Sequence, residues 1–359
     1  MNARHLVVMA AGTGGHVIPG LAVAQEMRAR GWTVSWLGTS YGIENRLVPP
    51  TGIPIDAIAF AGLRGKGVLR SFGGAMRLLA AFGTCLGILR RRRAAAVLGM
   101  GGYVCFPGGL MAWLLCKPLV LVNADAALLL SNKALLPVAA RIAFGFEGAD
   151  ARRTRRGVVT GNPVRAEIEA LPEPAQRFAG RCGALRLLVV GGSLGAAVLN
   201  DCVPKALALL DAPARPDVTH QTGPAHHASV EASYAQLDVR AEVLPFIDDM
   251  AARLAECDVI VCRAGAITVS ELCAAGVAAV LVPLVVSTTS HQRDNAEWLA
   301  SRGAGVHLAQ TDLSPRRLAD LLAGLTRDTL LAMATTARAL AKPKAAARVA
   351  DEIEGLVAA

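Results

Sequence analysis

The chain has 359 residues, of which 53% are hydrophobic and only 18% charged, with a formal net charge of +9. Its length exceeds a single core, so two domains of about 150–200 residues are expected, and the apolar content excludes a disordered chain. Aromatics make up only 4%, leaving Ala, Val and Leu as the bulk of an α/β protein, while the basic balance favours an anionic partner: nucleic acid, a membrane surface or a phosphate-bearing ligand.

The first unit is legible in "LVVMAAGTGGHVIPGLAVAQEMRARG", Leu6 to Gly31. A strand at Leu6–Met9 runs into Gly12-Thr13-Gly14-Gly15-His16, and a helical pattern follows until Gly31. The apolar run before the glycines is too short for a secretory signal. Further strands are expected at Val34–Leu37, Ala57–Phe60, Ala96–Leu98, Leu119–Val122, Ile142–Phe144 and Gly157–Val159, with helices between most of them. Near-continuous Val/Leu strands alternating with helices predict a parallel sheet covered on both faces. Val104–Cys116 is short of the ~20 residues a membrane span needs and carries Pro107, Gly108 and Gly109. The eight cysteines form no CxxC pair and read as buried, reduced thiols.

After "LPEPAQRFAGRCG" the unit restarts at Leu185. "LRLLVVGGSLGAAVLN" is again strand, glycine turn (Gly191, Gly192, Gly195) and helix. Later strands fall at Asp217–Gln221, Ala241–Pro245, Val259–Cys262, Ala279–Pro283 and Gly305–Leu308. The apolar stretch Leu272–Ser290 contains Gly276 and Pro283 and reads as helix end, buried strand and loop. Two Rossmann-like domains with parallel sheets, joined near Gly161-Asn162-Pro163, account for the pattern. Their expected extents are 1–161 and 162–340, with 341–359 a terminal helix returning to the N-terminal domain.

Glycines between strand and helix admit close approach of a ligand, and a helix N-terminus offers amides to an anion. No GxxxxGK[ST] occurs, and the dinucleotide pattern fails because position 17 is Val17 and the second strand ends in Leu37-Gly38-Thr39 without an acid. His16, on the glycine rim, suits a general base or simply packs the following helix. In "CRAGAITVSELCAAG" a helix is expected to start near Ala266–Thr268, with Glu271 in about its first turn. That carboxylate would accept from the two hydroxyls of a ribose, or would only complement the helix dipole. No metal site is expected: Asp-x-Asp is absent, and the adjacent His226 and His227 point apart.

In order along the chain, "GTGGHVIPGLAVA" (12–24), "GLRGKG" (62–67), "GMGGYVCFPGG" (99–109), "TGNPVR" (160–165), "VVGGSLGA" (189–196), "PFIDDMA" (245–251), "CRAGAITVSE" (262–271) and "HQRDNA" (291–296) resemble the MurG family of glycosyltransferases, essentially end to end. The resemblance implies the GT-B fold, two Rossmann-like domains facing a cleft, and a peripheral enzyme on the cytoplasmic face of the bacterial inner membrane. It implies inverting transfer of N-acetylglucosamine from UDP-GlcNAc to the muramoyl 4-hydroxyl of lipid I, with no cofactor. Donor contacts would be Arg165, Ser193, Ile247, Ala266, Ile267, Thr268, Val269, Ser270, Glu271 and Gln292, with Glu271 on the ribose. Thr13, Gly14, Gly15 and His16 would form the cleft rim, cradling diphosphate, and Gly101, Gly102 and Tyr103 part of the acceptor pyrophosphate site. His16 is the candidate base.

The chain departs from the family at Val122-Asn123-Ala124-Asp125, where His-Glu-Gln-Asn is usual, so Asp125 stands where an asparagine touches the donor sugar. It departs also at Ala11, Ala264 and Thr289-Ser290. Two alternatives therefore stay open: a catalytically impaired UDP-sugar-binding scaffold, and a transferase with another acceptor.

"MRLLAAFGTCLGILRRRR", Met76 to Arg93, joins an apolar face to four arginines. It reads as a docking surface for the anionic inner membrane, with Trp113 contributing, or as an ordinary packed helix with a solvated charge run. The resemblance also admits other cell-wall synthesis proteins as partners. Nucleic acid is not expected, since stacking aromatics and nucleic-acid motifs are missing.

Overall fold

The computed structural model describes residues 4–12, 14–59, 68–192, 194–284 and 291–358, with the backbone alone for 68–75. Thr13, Phe60, Ser193, Thr289, Ser290 and the GLRGKG segment lie outside the described residues. The chain divides into two compact units: Met1–Pro163 together with Lys344–Ala359, and Val164–Pro343.

In unit 1 the strands are β1 (His5–Ala10), β2 (Thr33–Thr39), β3 (Ile55–Ile58), β4 (Ala96–Gly101), β5 (Leu119–Asn123), β6 (Arg141–Phe144) and β7 (Gly157–Val159). They form one parallel sheet in the order β3-β2-β1-β4-β5-β6-β7. Along β1, Leu6, Val8 and Ala10 face one core, while Val7 and Met9 face another. Both faces are dry, as expected of a parallel sheet. The first core holds helix Gly14–Ala29 through Val17, Val23 and Met27. Helices Val68–Arg91 and Cys105–Leu114 cover the second.

Only β3 departs materially from its expected place, starting at Ile55 rather than Ala57. Pro54 immediately precedes it, and the Pro54 carbonyl already accepts the Trp36 amide at 2.9 Å, which sets the register two residues early. Val104–Cys116 is largely the helix Cys105–Leu114, and among the described residues no helix is long and apolar enough to cross a membrane.

The last helix, Ala345–Ala358, belongs to unit 1. Val349, Ala350 and Ile353 are buried with Val17 and Val23, and Arg30 grips Asp351 at 2.6 Å and Glu354 at 2.8 Å. Glu354 also accepts from the Trp32 indole at 3.0 Å.

Unit 2 carries β8 (Arg186–Val190), β9 (Asp217–Gln221), β10 (Glu242–Leu244), β11 (Val259–Cys262), β12 (Ala278–Leu281) and β13 (Gly305–His307), parallel in the order β10-β9-β8-β11-β12-β13. Helix Ala266–Ala275 ends on a left-handed Gly276, and buried β12 follows, as expected for this apolar stretch. Six of the eight thiols are buried; Cys116 and Cys182 are exposed.

Candidate functional site

In open parallel sheets ligands gather beyond the carboxyl ends of the strands, where the strand order reverses direction. Unit 1 reverses between β1 and β4, and unit 2 between β8 and β11. The glycine-containing segments that follow β1, β4, β8 and β11 emerge at these two points.

At the first, the β1–β4 register shifts between Met9 and Ala10, so the strands diverge just before the loops. His16 is the third residue of helix Gly14–Ala29. Its ring packs against Gly101: a Cβ there would lie 2.5 Å from the imidazole Cδ2, and the Gly101 φ of +124° already disfavours any side chain. A Cβ on Gly102 would lie 2.5 Å from the Ala11 carbonyl oxygen. Glycine is required at both positions because imidazole and backbone fill the space. The two loops, expected to serve different moieties, thus build one site, with Tyr103 exposed at its margin.

Cys105 fastens the end of β4, its sulfur 3.2 Å from the Gly101 amide. Burial pushes this thiol up to about 12, so it stays protonated. For His16, burial lowers the pKa, opposed by the charge of Asp125 and a hydrogen bond with the Ala11 carbonyl. The imidazole is therefore predominantly neutral at pH 7. The nitrogen that donates to Ala11 fixes the tautomer, and the opposite nitrogen is the acceptor a general base needs.

Asp125 acts electrostatically on His16, so the residue that departs from the family pattern belongs to this site. Its loop is held by Asn123, also a departure. The Asn123 amide donates to the carbonyls of Asp125 (2.8 Å) and Ala127 (3.0 Å), and its oxygen accepts from Leu129 N (2.9 Å) and Asn132 (3.1 Å). Asn162 donates to the Ala124 carbonyl at 2.8 Å.

One residue the sequence reading passed over is Glu44, fully buried in the short helix after β2. Its carboxylate accepts from the Thr39 amide (2.8 Å), the Thr39 hydroxyl (2.7 Å) and the Gly12 amide (3.1 Å). Burial alone would raise its pKa, yet these hydrogen bonds together hold it below the usual carboxylate value. The Gly12 amide, just ahead of the residues expected to cradle diphosphate, is therefore given to Glu44. An acid that follows β2 by several residues gives no periodicity signal, which is why it was missed.

At the second reversal, Gly195 lies flush on the Thr222 carbonyl, leaving no room for a Cβ. Helix Ala266–Ala275 starts after Gly265, and its first amides, having no intrahelical acceptor, face outward for an anion. Glu271 sits in the second turn rather than the first, too far along to serve the helix dipole. Instead it receives both prongs of the Arg165 guanidinium, at 2.7 and 3.0 Å. Burial works against the Arg165 charge, but the hydrogen bonds with Glu271 outweigh it and raise the pKa. A carboxylate so engaged keeps lone pairs for two further hydroxyl donors.

Other expected donor contacts fare differently. Ala266, Ile267 and Thr268 are half-buried in the first turn. Val269 is wholly buried, and the Ser270 hydroxyl donates to Ala266 O at 2.9 Å. Ile247 is buried beside the exposed Phe246, and Gln292 accepts from the Leu284 amide at 2.9 Å. A surface cavity of about 850 Å³ is lined by Arg186, Asp217 and Glu242 at the opposite, amino ends of the unit 2 strands, away from that reversal. Among the described residues no cluster of three or more His, Cys, Asp or Glu is placed to hold a metal ion.

Two parallel-sheet units with a glycine loop at each reversal describe a nucleotide-sugar glycosyltransferase architecture, and comparison with known proteins agrees. Residues 6–144 match the glycosyltransferase family 28 N-terminal domain and residues 186–352 the family 28 C-terminal domain. The chain is 69% identical, over 99% of both chains, to the UDP-N-acetylglucosamine--N-acetylmuramyl-(pentapeptide) pyrophosphoryl-undecaprenol N-acetylglucosamine transferase of Methylibium petroleiphilum. It is 63% identical to the protein of that name from Chromobacterium violaceum, over 98% of both. The crystal structure of Acinetobacter baumannii MurG superposes with a TM-score of 0.86 at 38% identity, covering 98% of this chain and 99% of that one. The chain belongs to the MurG family of glycosyltransferases.

Proposed function

We propose that this chain transfers N-acetylglucosamine from UDP-GlcNAc to the muramoyl 4-hydroxyl of lipid I, inverting the anomeric carbon and releasing UDP, a step of peptidoglycan synthesis. The observation that carries this is the 69% identity, across 99% of the chain, to a transferase so named.

Unit 2 would hold the donor. Glu271, oriented by Arg165, takes the ribose hydroxyls, and the Ala266–Thr268 amides with the Arg165 cation balance the diphosphate. Unit 1 would supply the acceptor side. The neutral His16 accepts the proton of the 4-hydroxyl as its oxygen bonds to the sugar C1, while the C1–oxygen bond to UDP breaks and the electron pair leaves with the phosphate. Asp125 stabilises the imidazolium that forms. The departures at Asn123 and Asp125 leave a loop with its hydrogen bonds made and a base with a counter-charge, which supports an active enzyme over an impaired one.

Acceptor-dependent release of UDP from UDP-GlcNAc, with a lipid I analogue in detergent, is the expected result. Saturable donor binding without release would sink the transferase reading.

The same unit supplies a membrane-facing surface. Helices Val68–Arg91 and Cys105–Leu114 pack side by side, with Phe82 and Phe106 rings 6.1 Å apart. Met76, Leu79, Trp113 and Leu114 are exposed on this pair, and Arg77, Arg90 and Arg93 are exposed on or just after its first helix. Each basic residue near an anionic surface contributes about 1 kcal/mol, so the chain should sediment with phosphatidylglycerol vesicles and be released by salt. Equal binding to neutral vesicles, unaffected by Trp113→Ala, would refute docking by this patch.

A further inference from the structure

Glu44 takes no part in the chemistry above, yet the fold goes to some length to seat it. Gly38 and Gly42 both lack the side chain that would strike it: a Cβ on Gly38 would come within 2.9 Å of the Glu44 Cγ, and one on Gly42 would collide with the carboxyl group itself. Thr39 alone, through its amide and hydroxyl, would suffice to anchor a carboxylate at the end of β2. The other oxygen instead reaches 32 positions back along the chain to the Gly12 amide, joining the loop after β2 to the loop after β1. Gly12 stands four residues before His16, and the Ala11 carbonyl that hydrogen-bonds the imidazole immediately precedes it.

In dinucleotide-binding folds an acid near the end of the second strand receives the ribose hydroxyls of the ligand. Here that acid closes on the protein's own loop. We propose that Glu44 is a positioning residue for the transfer reaction: it holds the Gly12 amide, and with it the adjoining Ala11 carbonyl that hydrogen-bonds the His16 imidazole, in the geometry that aims the base at the acceptor hydroxyl. The proposal rests on the transfer reaction given above and adds to it a residue that touches neither substrate. Misplacing a reacting group by about 1 Å costs on the order of 10²-fold in rate, so a buried brace on this loop acts on turnover rather than on donor affinity.

Glu44→Gln preserves shape but turns toward Gly12 an NH2 group that cannot accept. In the full chain, kcat for acceptor-dependent UDP release should fall on the order of 10²-fold, with the donor KM within about threefold of wild type. The Gly12 amide proton resonance of the labelled protein should move upfield as its charged acceptor is lost. Thr39→Val removes a donor to the same carboxylate but spares the Gly12 bond; it should lower Tm and leave kcat within about threefold. Gly42→Ala, which displaces the carboxylate without discharging it, should repeat the Glu44→Gln pattern and decides the matter if that variant does not fold.

An unchanged kcat in Glu44→Gln despite a shifted Gly12 resonance overturns the proposal. So does an unchanged kcat in Gly42→Ala, or a Thr39→Val enzyme as slow as Glu44→Gln, since the effect would then follow stability alone. A wild-type protein with no acceptor-dependent release is a different failure, of the transferase reading itself, and takes the proposal with it.

Discussion

Behind the glycine loop of unit 1 stands a buried carboxylate, Glu44; behind that of unit 2 stands the Thr222 carbonyl. That carbonyl is held in turn by Asn200 at 3.0 Å, and Asn200 by the neutral, fully buried His220 at 3.2 Å. The topologies match, so the difference lies in charge. A dianionic diphosphate is repelled by the carboxylate placed under the first loop, which has no cationic partner among the described residues, whereas at the second reversal the Glu271 carboxylate is paired with Arg165. Under the proposed transfer, one strand–loop–helix frame would serve acceptor activation in one copy and nucleotide capture in the other, according to what supports the loop.

That contrast can be broken most severely at its two reacting ends. His16→Ala should lower kcat by about 10²–10⁴-fold, the usual worth of a general base, with little change in the donor KM. Glu271→Ala should instead raise the donor KM by about 10-fold or more, since ribose hydroxyls lose their acceptor and Arg165 its partner. Steady-state kinetics with both substrates varied separates the two. Finding both effects in kcat alone would dissolve the division of labour between the units.

A smaller effect sharpens the same contrast through stability. His220, packed edge-on against Tyr234 and bonded to its hydroxyl at 3.0 Å, has its pKa lowered by burial to about 4 from an ordinary 6.5. The folded state favours the neutral ring, so the stabilisation is complete above pH 6.5 and is lost as pH falls toward 4. At about 1.4 kcal/mol per unit the loss approaches roughly 3 kcal/mol. Thermal unfolding from pH 8 to 4 should show this slope, reduced in His220→Gln. Identical slopes in the two proteins would remove His220 from the account.

Much of this architecture was legible in the chain because parallel strands buried on both faces leave unbroken apolar runs. Leu119–Val122 and Val259–Cys262 could hardly be read otherwise, and glycines mark where each strand gives way. Long-range pairings left no such mark. Nothing near Arg165 announces Glu271, 106 positions away, as its ion-pair partner. Nothing in "YGIEN" says that Glu44 will fold back on Gly12. Asp125 looked like damage to a motif, and only the three-dimensional placement of His16 shows it as a counter-charge. Residues such as Asn123 and Asn162, whose whole contribution is hydrogen bonding to distant backbone, are invisible to any periodic pattern.

The helix Ala345–Ala358 carries a consequence for biosynthesis. Its Val349, Ala350 and Ile353 complete a core begun by Leu6, Val8 and Val17, so unit 1 is assembled from segments separated by the whole of unit 2. The ribosome must make residues 164–343 before the piece that seals the first sheet is available. Vectorial synthesis ordinarily lets the leading domain fold first. Here the inserted domain is the first that can finish, while the leading one waits with an apolar helix face open until residues 345–358 have emerged.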